Sequence, residues 1–405
     1  MSDAAPRVLI VDDDLSFGRF VARVAARCGL RPRVVGGIEA AWEPAEPDPA
    51  LVLLDLNMPG ADGLEALRQL AARHCRARVH VLSGTDARLL RSAAHLGREL
   101  GLSMGEPLAK PVTVESLRAL FAGAALAESH TPPHPVLEPP TADELRRALA
   151  RDEIFLVFQP ILDLATLEPR GAEALVRWRH PERGVVPPNL FVPLAEHSGL
   201  IGELTGTILE RALATASRAD FAWRGRPLTI SVNVATGALA GGDLPGAVAA
   251  LLAVHALAPA RLVLEITESA MLADRARVLE VLSRLRLRGI ELSIDDFGTG
   301  TSSLERIDQL PCTELKVERA FVADVLRRAQ AETIVRSTLE LGRRLGLRTV
   351  AEGIEDVATL RWLREVGCDM GQGFLFTRGL EPPELLAWLA GWEVRRSELL
   401  ADEPR

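Results

Sequence analysis

Leu262-Val263-Leu264-Glu265-Ile266-Thr267-Glu268 is an apolar, strand-like run interrupted by carboxylates. It sets the pattern for the longer part of the chain. Similar runs recur along the sequence: Glu173-Ala174-Leu175-Val176-Arg177-Trp178, Ile230-Ser231-Val232-Asn233, Leu292-Ser293-Ile294-Asp295-Asp296, Thr313-Glu314-Leu315-Lys316-Val317-Glu318, Thr349-Val350-Ala351-Glu352 and Gly371-Gln372-Gly373-Phe374. Helical patterns separate them. Charged or amide residues at strand ends spaced roughly thirty residues apart are what the catalytic face of a barrel of eight parallel strands carries. Residues 143–392 supply about the length that such a barrel needs.

Electrostatics limits what that face can hold. Glu173, Glu265, Asp295, Asp296 and Glu352 would converge with Lys316 as the nearest obvious cation. Without metal, several would have to protonate or repel one another. Two divalent cations resolve the conflict, with Asn233 as a neutral oxygen ligand, and paired ions suit in-line attack of water on a phosphodiester. Lys316 would orient or deprotonate that water, or neutralise charge on the phosphorane. Glu173 and Arg177 share one strand face, so one end can serve metal and the other a second phosphate. The opposing reading is ordinary rim charges paired in salt bridges. For Glu268 or Glu355 taken singly, the two readings are balanced.

The chain has two lysines among its 47 basic residues, Lys110 and Lys316. A compact ammonium with a tunable pKa does work that a planar guanidinium cannot. Lys110 belongs to the first domain. There Val8-Leu9-Ile10-Val11, Leu51-Val52-Leu53-Leu54 and Val79-His80-Val81-Leu82 are near-continuous apolar strands, as in a parallel sheet covered on both faces. The residues that follow them, Asp12, Asp13 and Asp14, then Asp55, then Ser83, then Lys110, would meet at the carboxyl edge of a doubly wound sheet. Clustered carboxylates attract Mg²⁺, and a carboxylate held beside it can accept a phosphoryl group.

Between the two lie residues 123–141, five of them proline, read as an extended linker. His130 and His134 within it are expected to be solvated. Net charge is −8 and pI about 5.6, which argues against direct DNA binding. Cys28, Cys75, Cys312 and Cys368 are scattered without a C-x-x-C pair, so no zinc site or disulfide framework is expected. No membrane-spanning run or signal peptide is read, and a cytoplasmic protein is expected. Gly241-Gly242-Asp243-Leu244 reads as a turn.

Two resemblances follow from these residues. Val11 to Asp14, Asp55-Leu56-Asn57-Met58-Pro59-Gly60, Ser83-Gly84 and Lys110-Pro111 resemble a two-component receiver domain. The resemblance implies a flavodoxin-like α/β fold, phosphorylation of Asp55 by a cognate sensor histidine kinase, Mg²⁺ held with Asp12 and Asp13, and Ser83 and Lys110 reading the phosphorylated state. Pro107 stands where an aromatic switch residue is usual. The second part is similar to the EAL family of cyclic-di-GMP phosphodiesterases through Gln159-Pro160, Glu173 to Trp178, Phe191 to Glu196, Glu265 to Glu268, Asp295 to Gly300, Ala351-Glu352-Gly353 and Gln372-Gly373.

That resemblance implies a TIM-barrel-like domain with two Mg²⁺ or Mn²⁺ held by Glu173, Asn233, Glu265, Asp295, Asp296 and Glu352. Lys316 and Glu352 would be catalytic, Glu268 would brace a catalytic loop, and Gln159, Arg177 and Gln372 would contact substrate. It implies hydrolysis to linear pGpG and a homodimer formed through the EAL domains. Glu318 replaces the usual aspartate two residues after the lysine, Thr301 a frequent aromatic residue, and Arg378-Gly379 a common proline. The expected layout is a receiver at 1–122, linker at 123–141, EAL domain at 142–395 and a charged tail at 396–405. The rival function is a catalytically silent cyclic-di-GMP receptor; a third is an interaction protein with no nucleotide site.

Overall fold

The computed structural model describes residues 5–41, 49–58, 63–73, 75, 77–84, 87–129, 140–267, 275–297 and 309–401. The chain divides into two compact units, Met1–Val136 and Leu137–Arg405.

The first unit is a parallel sheet of β1 (Arg7–Val11), β2 (Arg31–Val35), β3 (Leu51–Asp55), β4 (Arg78–Ser83) and β5 (Leu108–Ala109), in the order β2-β1-β3-β4-β5. That is the flavodoxin-like order, whose site lies at the carboxyl edge beside the switch point between β1 and β3. Separate apolar clusters form around the sheet, one including Val52, Leu54 and Leu67 and the other Ile10, Leu53 and Phe121. The last helix of the unit runs over Val114–Ser129, so residues 123–129, read as linker, are helical. The reason is composition: Ala122–Ala127 is an alanine-rich stretch of high helix propensity, and the first proline comes only at 132. Residues 130–139, with His130 and His134, lie outside the described residues.

The second unit opens with a capping box. Thr141 Oγ1 accepts from Glu144 N (3.3 Å) while Glu144 Oε2 accepts from Thr141 N (2.7 Å), fixing the start of the helix Ala142–Ala150. Strands β6 (Ile154–Asp163), β7 (Pro169–His180), β8 (Gly184–Val186), β9 (Ala222–Trp223), β10 (Arg226–Pro227), β11 (Thr229–Asn233), β12 (Leu262–Thr267), β13 (Glu291–Phe297), β14 (Glu314–Val317), β15 (Arg348–Ala351) and β16 (Met370–Gly371) follow. Eight of them close a barrel in the order β11-β12-β13-β14-β15-β16-β6-β7, with β7 returning to β11. β8 hairpins onto β7, and β9 pairs with β10 as a separate ribbon.

The barrel departs from eight parallel strands in one stave. β6 runs antiparallel to both its neighbours, β16 and β7. The cause is the connection between β6 and β7, residues 164–168, too short for a parallel crossover. Asp163 ties that turn together, accepting from Thr166 N at 2.9 Å and from Arg170 Nη2 at 2.8 Å.

The closing helix, Pro382–Ala401, packs over the same turn: Trp392 Nε1 donates to Leu167 O at 2.8 Å and Arg396 Nε to Thr166 O at 2.8 Å. Residues 396–401 are therefore helix rather than tail, held by that bond and by the buried Leu399. Gly242 turns at φ +63 and Asp243 caps the helix Leu244–Val254, as the turn reading expects. A Cβ at Gly379 would come within 2.7 Å of Val157 Cγ2, so the residue that replaces the common proline is held against β6. Among the described residues no helix is long and apolar enough to cross a membrane.

Candidate active site

Each parallel stave delivers one polar residue to the same mouth of the barrel because side chains alternate along a strand and the register is continuous. Asn233 lies beside Glu265 in the ladder, and Glu265 beside Ser293, two residues before Asp295, a stagger of the kind that tilted barrel strands require. On β13 the pairing with β14 is irregular between Ile294 and Phe297.

Lys316 stands at the centre, 0% exposed. Its Nζ lies 2.5 Å from Glu352 Oε1, 2.7 Å from Glu265 Oε2, 3.5 Å from Glu173 Oε2 and 3.6 Å from Asp295 Oδ1. Two amides brace the ring. Asn233 Nδ2 donates to Glu173 Oε1 at 2.7 Å and Gln372 Nε2 to Glu173 Oε2 at 2.6 Å. Gln372, expected at substrate, therefore also positions Glu173.

One ammonium faces four carboxylates, and their protonation shows the strain. Burial raises Glu265 well above the usual carboxylate range, with Glu173 adding to the rise and Lys316 opposing it. Burial likewise lifts Glu352 to about 7. Burial acts the same way on Glu173, but Lys316 and the two amides outweigh it and hold that carboxyl low. Lys316 is held well above its ordinary value because the carboxylates overcome the cost of burying its charge. Glu265 Oε1 is buried without a hydrogen-bond partner among the described residues. An excess of buried oxygen ligands with an orphaned carboxylate oxygen fits hard divalent cations.

Beside this ring a cavity of about 400 Å³ is lined by Arg177, Asn233, Val192 and Glu196, among others. Burial lowers the Arg177 pKa, with Glu173 partly opposing, and its Nη1 donates to Val176 O at 2.8 Å. Glu196, which ends the run Phe191 to Glu196, accepts from Gly237 N at 3.4 Å and joins the site without a sequence signal of its own role. Gln159, on the antiparallel stave, donates to Thr377 O at 3.1 Å. Glu318 precedes the short helix Arg319–Ala323 as its N-cap residue. Asp296 continues β13, and Glu268 and Thr301 lie outside the described residues.

The first unit has a matching acidic site. Lys110 Nζ bridges Asp12 Oδ2 at 2.8 Å and Asp55 Oδ2 at 2.7 Å, and Asp14 N donates to the other Asp12 oxygen. Burial raises Asp12, with Lys110 opposing. Burial works against the charge on Lys110, but its two carboxylate partners outweigh it and raise that pKa. Asp12, Asp13 and Asp55 offer carboxylate oxygens within 4.8 Å of one another, a donor set that fits Mg²⁺. Ser83, fully buried, ends β4 at the same edge.

Comparison with known proteins places both units in families. The family model described as EAL domain matches residues 142–379, and the one described as response regulator receiver domain matches residues 8–122. The chain is 32% identical over 393 residues to the cyclic di-GMP phosphodiesterase RocR of Pseudomonas aeruginosa, covering 95% of this chain and 98% of RocR. It is 40% identical over 238 residues to the cyclic di-GMP phosphodiesterase NbdA of the same organism, covering 59% of this chain and 30% of NbdA. An uncharacterised signalling protein of Caulobacter vibrioides is 41% identical over 247 residues, 61% of this chain and 30% of that protein. The chain thus spans under a third of the last two relatives and nearly all of RocR. Among solved structures, the PaMucR phosphodiesterase in complex with c-di-GMP aligns with TM-score 0.56 and 36% identity, over 60% of this chain and 98% of that one.

Proposed function

The chain belongs to the EAL domain family and carries a response regulator receiver domain ahead of it, and from that premise we propose that it is a cyclic-di-GMP phosphodiesterase governed by phosphorylation of Asp55. The observation that carries the reading is the ring of Glu173, Glu265, Asp295 and Glu352 around Lys316 Nζ. The protein's similarity to RocR along nearly its whole length supports the same layout and activity.

Glu173, Asn233, Glu265, Asp295, Asp296 and Glu352 would hold two Mg²⁺ or Mn²⁺, which supply Lewis acidity toward the phosphodiester and its attacking water. Lys316, 2.7 Å from Glu265 and 2.5 Å from Glu352, would orient or deprotonate the water, or offset charge at phosphorus. Arg177, at the rim of the adjacent cavity, binds the second phosphate of the cyclic dinucleotide. Gln372 keeps Glu173 in place, and Gln159 and Glu196 shape the substrate's seat. Water adds across one P–O3′ bond: its oxygen joins phosphorus and a proton passes to the leaving 3′ oxygen, giving linear pGpG.

In the receiver, Asp55 is the phosphoacceptor, Asp12 and Asp13 hold Mg²⁺, and Ser83 and Lys110 respond to the phosphoryl group. A sensor kinase is the phosphodonor partner, the protein works in the cytoplasm, and it pairs through its EAL domains. The test is turnover of cyclic-di-GMP followed by chromatography in wild type, Lys316→Ala and Glu265→Ala. Both variants should lose turnover severely; full activity in either contradicts the site. Binding without turnover in the wild type would instead favour a silent receptor.

A further inference from the structure

The barrel has a second opening at the N-terminal ends of its parallel strands, away from the carboxylate ring. A cavity of about 590 Å³ enters there, within the size range of small-ligand sites. Its origin lies in side-chain size. Barrel interiors are usually filled by bulky branched residues, but the position two before Asn233 on its strand is Ser231, which is buried and lines the cavity.

Glu314, two residues before Lys316 on the same face of β14, lines this cavity and is 2% exposed. Its ladder partner is Ser293, whose hydroxyl faces it and stabilises its charge, and its Oε1 takes no hydrogen bond from any other described residue. Its other oxygen lies 3.6 Å from Arg348 Nη2, beyond hydrogen-bonding distance. Burial raises the Glu314 pKa and Arg348 opposes the rise. A buried carboxylate with about four lone-pair positions and one hydroxyl partner has room for a further donor.

The rest of the cavity is graded in chemistry. Ile161, Val263 and Met370 give apolar walls, and Arg170, Arg226, Arg348 and Arg364 line it as well. Asp163 engages Arg170 and Glu291 engages Arg348, while Arg226 is exposed. Cationic side chains, apolar walls and a buried acceptor match a phosphorylated heterocycle: phosphate, ring and ring N–H.

We propose that this cavity is a second binding site, for a purine nucleoside monophosphate, with the base between the apolar walls donating an N–H to Glu314 and the phosphate at the arginines. The site is distinct from the phosphodiester site, and Glu314 connects it to Lys316 through two residues of one strand.

The experiment is calorimetric titration of the full chain, in chelator, with GMP and separately with inorganic phosphate. One GMP should bind per chain. Glu314→Gln, which keeps the side chain's shape, and Arg226→Ala, at an exposed position, should each weaken binding about tenfold or more, a change of roughly 1.4 kcal/mol per decade. Arg177→Ala should leave it unchanged. The proposal is overturned if GMP does not bind at millimolar concentration, if binding survives both Glu314→Gln and Arg226→Ala, if Arg177→Ala abolishes it, or if phosphate alone binds as tightly. The readout involves no turnover, so its failure is separate from any failure of the phosphodiesterase reading.

Discussion

Replacing Lys316 with methionine removes the one ammonium that faces Glu173, Glu265, Asp295 and Glu352 while keeping an unbranched side chain. Removing one partner of a buried ion pair costs about 3–5 kcal/mol, because the other partner stays buried and uncompensated. For a unit of this size each kcal/mol lowers the melting temperature by about 2–4 °C, so in chelator the barrel should melt roughly 6–20 °C lower. The loss should be larger at pH 8 than at pH 6. Burial already pushes Glu352 up to about 7 and Glu265 well above its usual range, and removing the lysine raises both further, so the stranded carboxyls take up protons as the pH falls. Adding Mg²⁺ should restore part of the stability by supplying the missing charge. Tryptophan fluorescence reads the barrel selectively, since Trp178, Trp223, Trp362, Trp388 and Trp392 lie in it and only Trp42 lies in the receiver sequence. An unchanged melting temperature at pH 8 in chelator would refute the reasoning.

Wild-type protein in chelator should lose barrel stability as the pH rises from about 5 to 7. Glu265 and Glu352 have raised pKa values in the fold, so the folded state binds protons more tightly over that window. Glu173 is held low and Lys316 high, so both titrate outside it, and a melting temperature that climbs over this range would contradict the assignment. Acetyl phosphate with Mg²⁺ should label wild type and fail to label Asp55→Asn; persistent labelling of the variant would remove Asp55 as phosphoacceptor. Arg177→Ala should raise KM for cyclic-di-GMP about tenfold with a smaller change in kcat, as for lost uniform binding; an unchanged KM would remove it from the substrate site. Thr141→Ala should cost about 1 kcal/mol by breaking the capping box, read as a lower denaturation midpoint, and an unshifted midpoint would mean that the box adds nothing.

The cluster around Lys316 is legible in the sequence because a barrel gathers the residues at its strand ends, and there a carboxylate breaks an apolar run. Glu265 in Leu262–Thr267 and Lys316 in Glu314–Val317 stand out for that reason. The direction of β6 was not readable: the pattern of Ile154–Asp163 is the same whichever way a strand runs. The signal lay instead in the short segment 164–168, which admits only a hairpin. The helical ends at 123–129 and 396–401 are masked in the sequence by their neighbours, proline in one case and charge in the other, although Ala-rich propensity and the apolar Leu399 favour helix. Glu314 was visible as a charge two residues before Lys316, but only the barrel's alternation places it inside.

The central claim is tested most directly by incubating the purified chain with cyclic-di-GMP in Mg²⁺ and in chelator, and separating the products by chromatography. Conversion to linear pGpG in Mg²⁺ alone is the predicted result. Unchanged cyclic-di-GMP under both conditions, or equal conversion in chelator, would contradict the account.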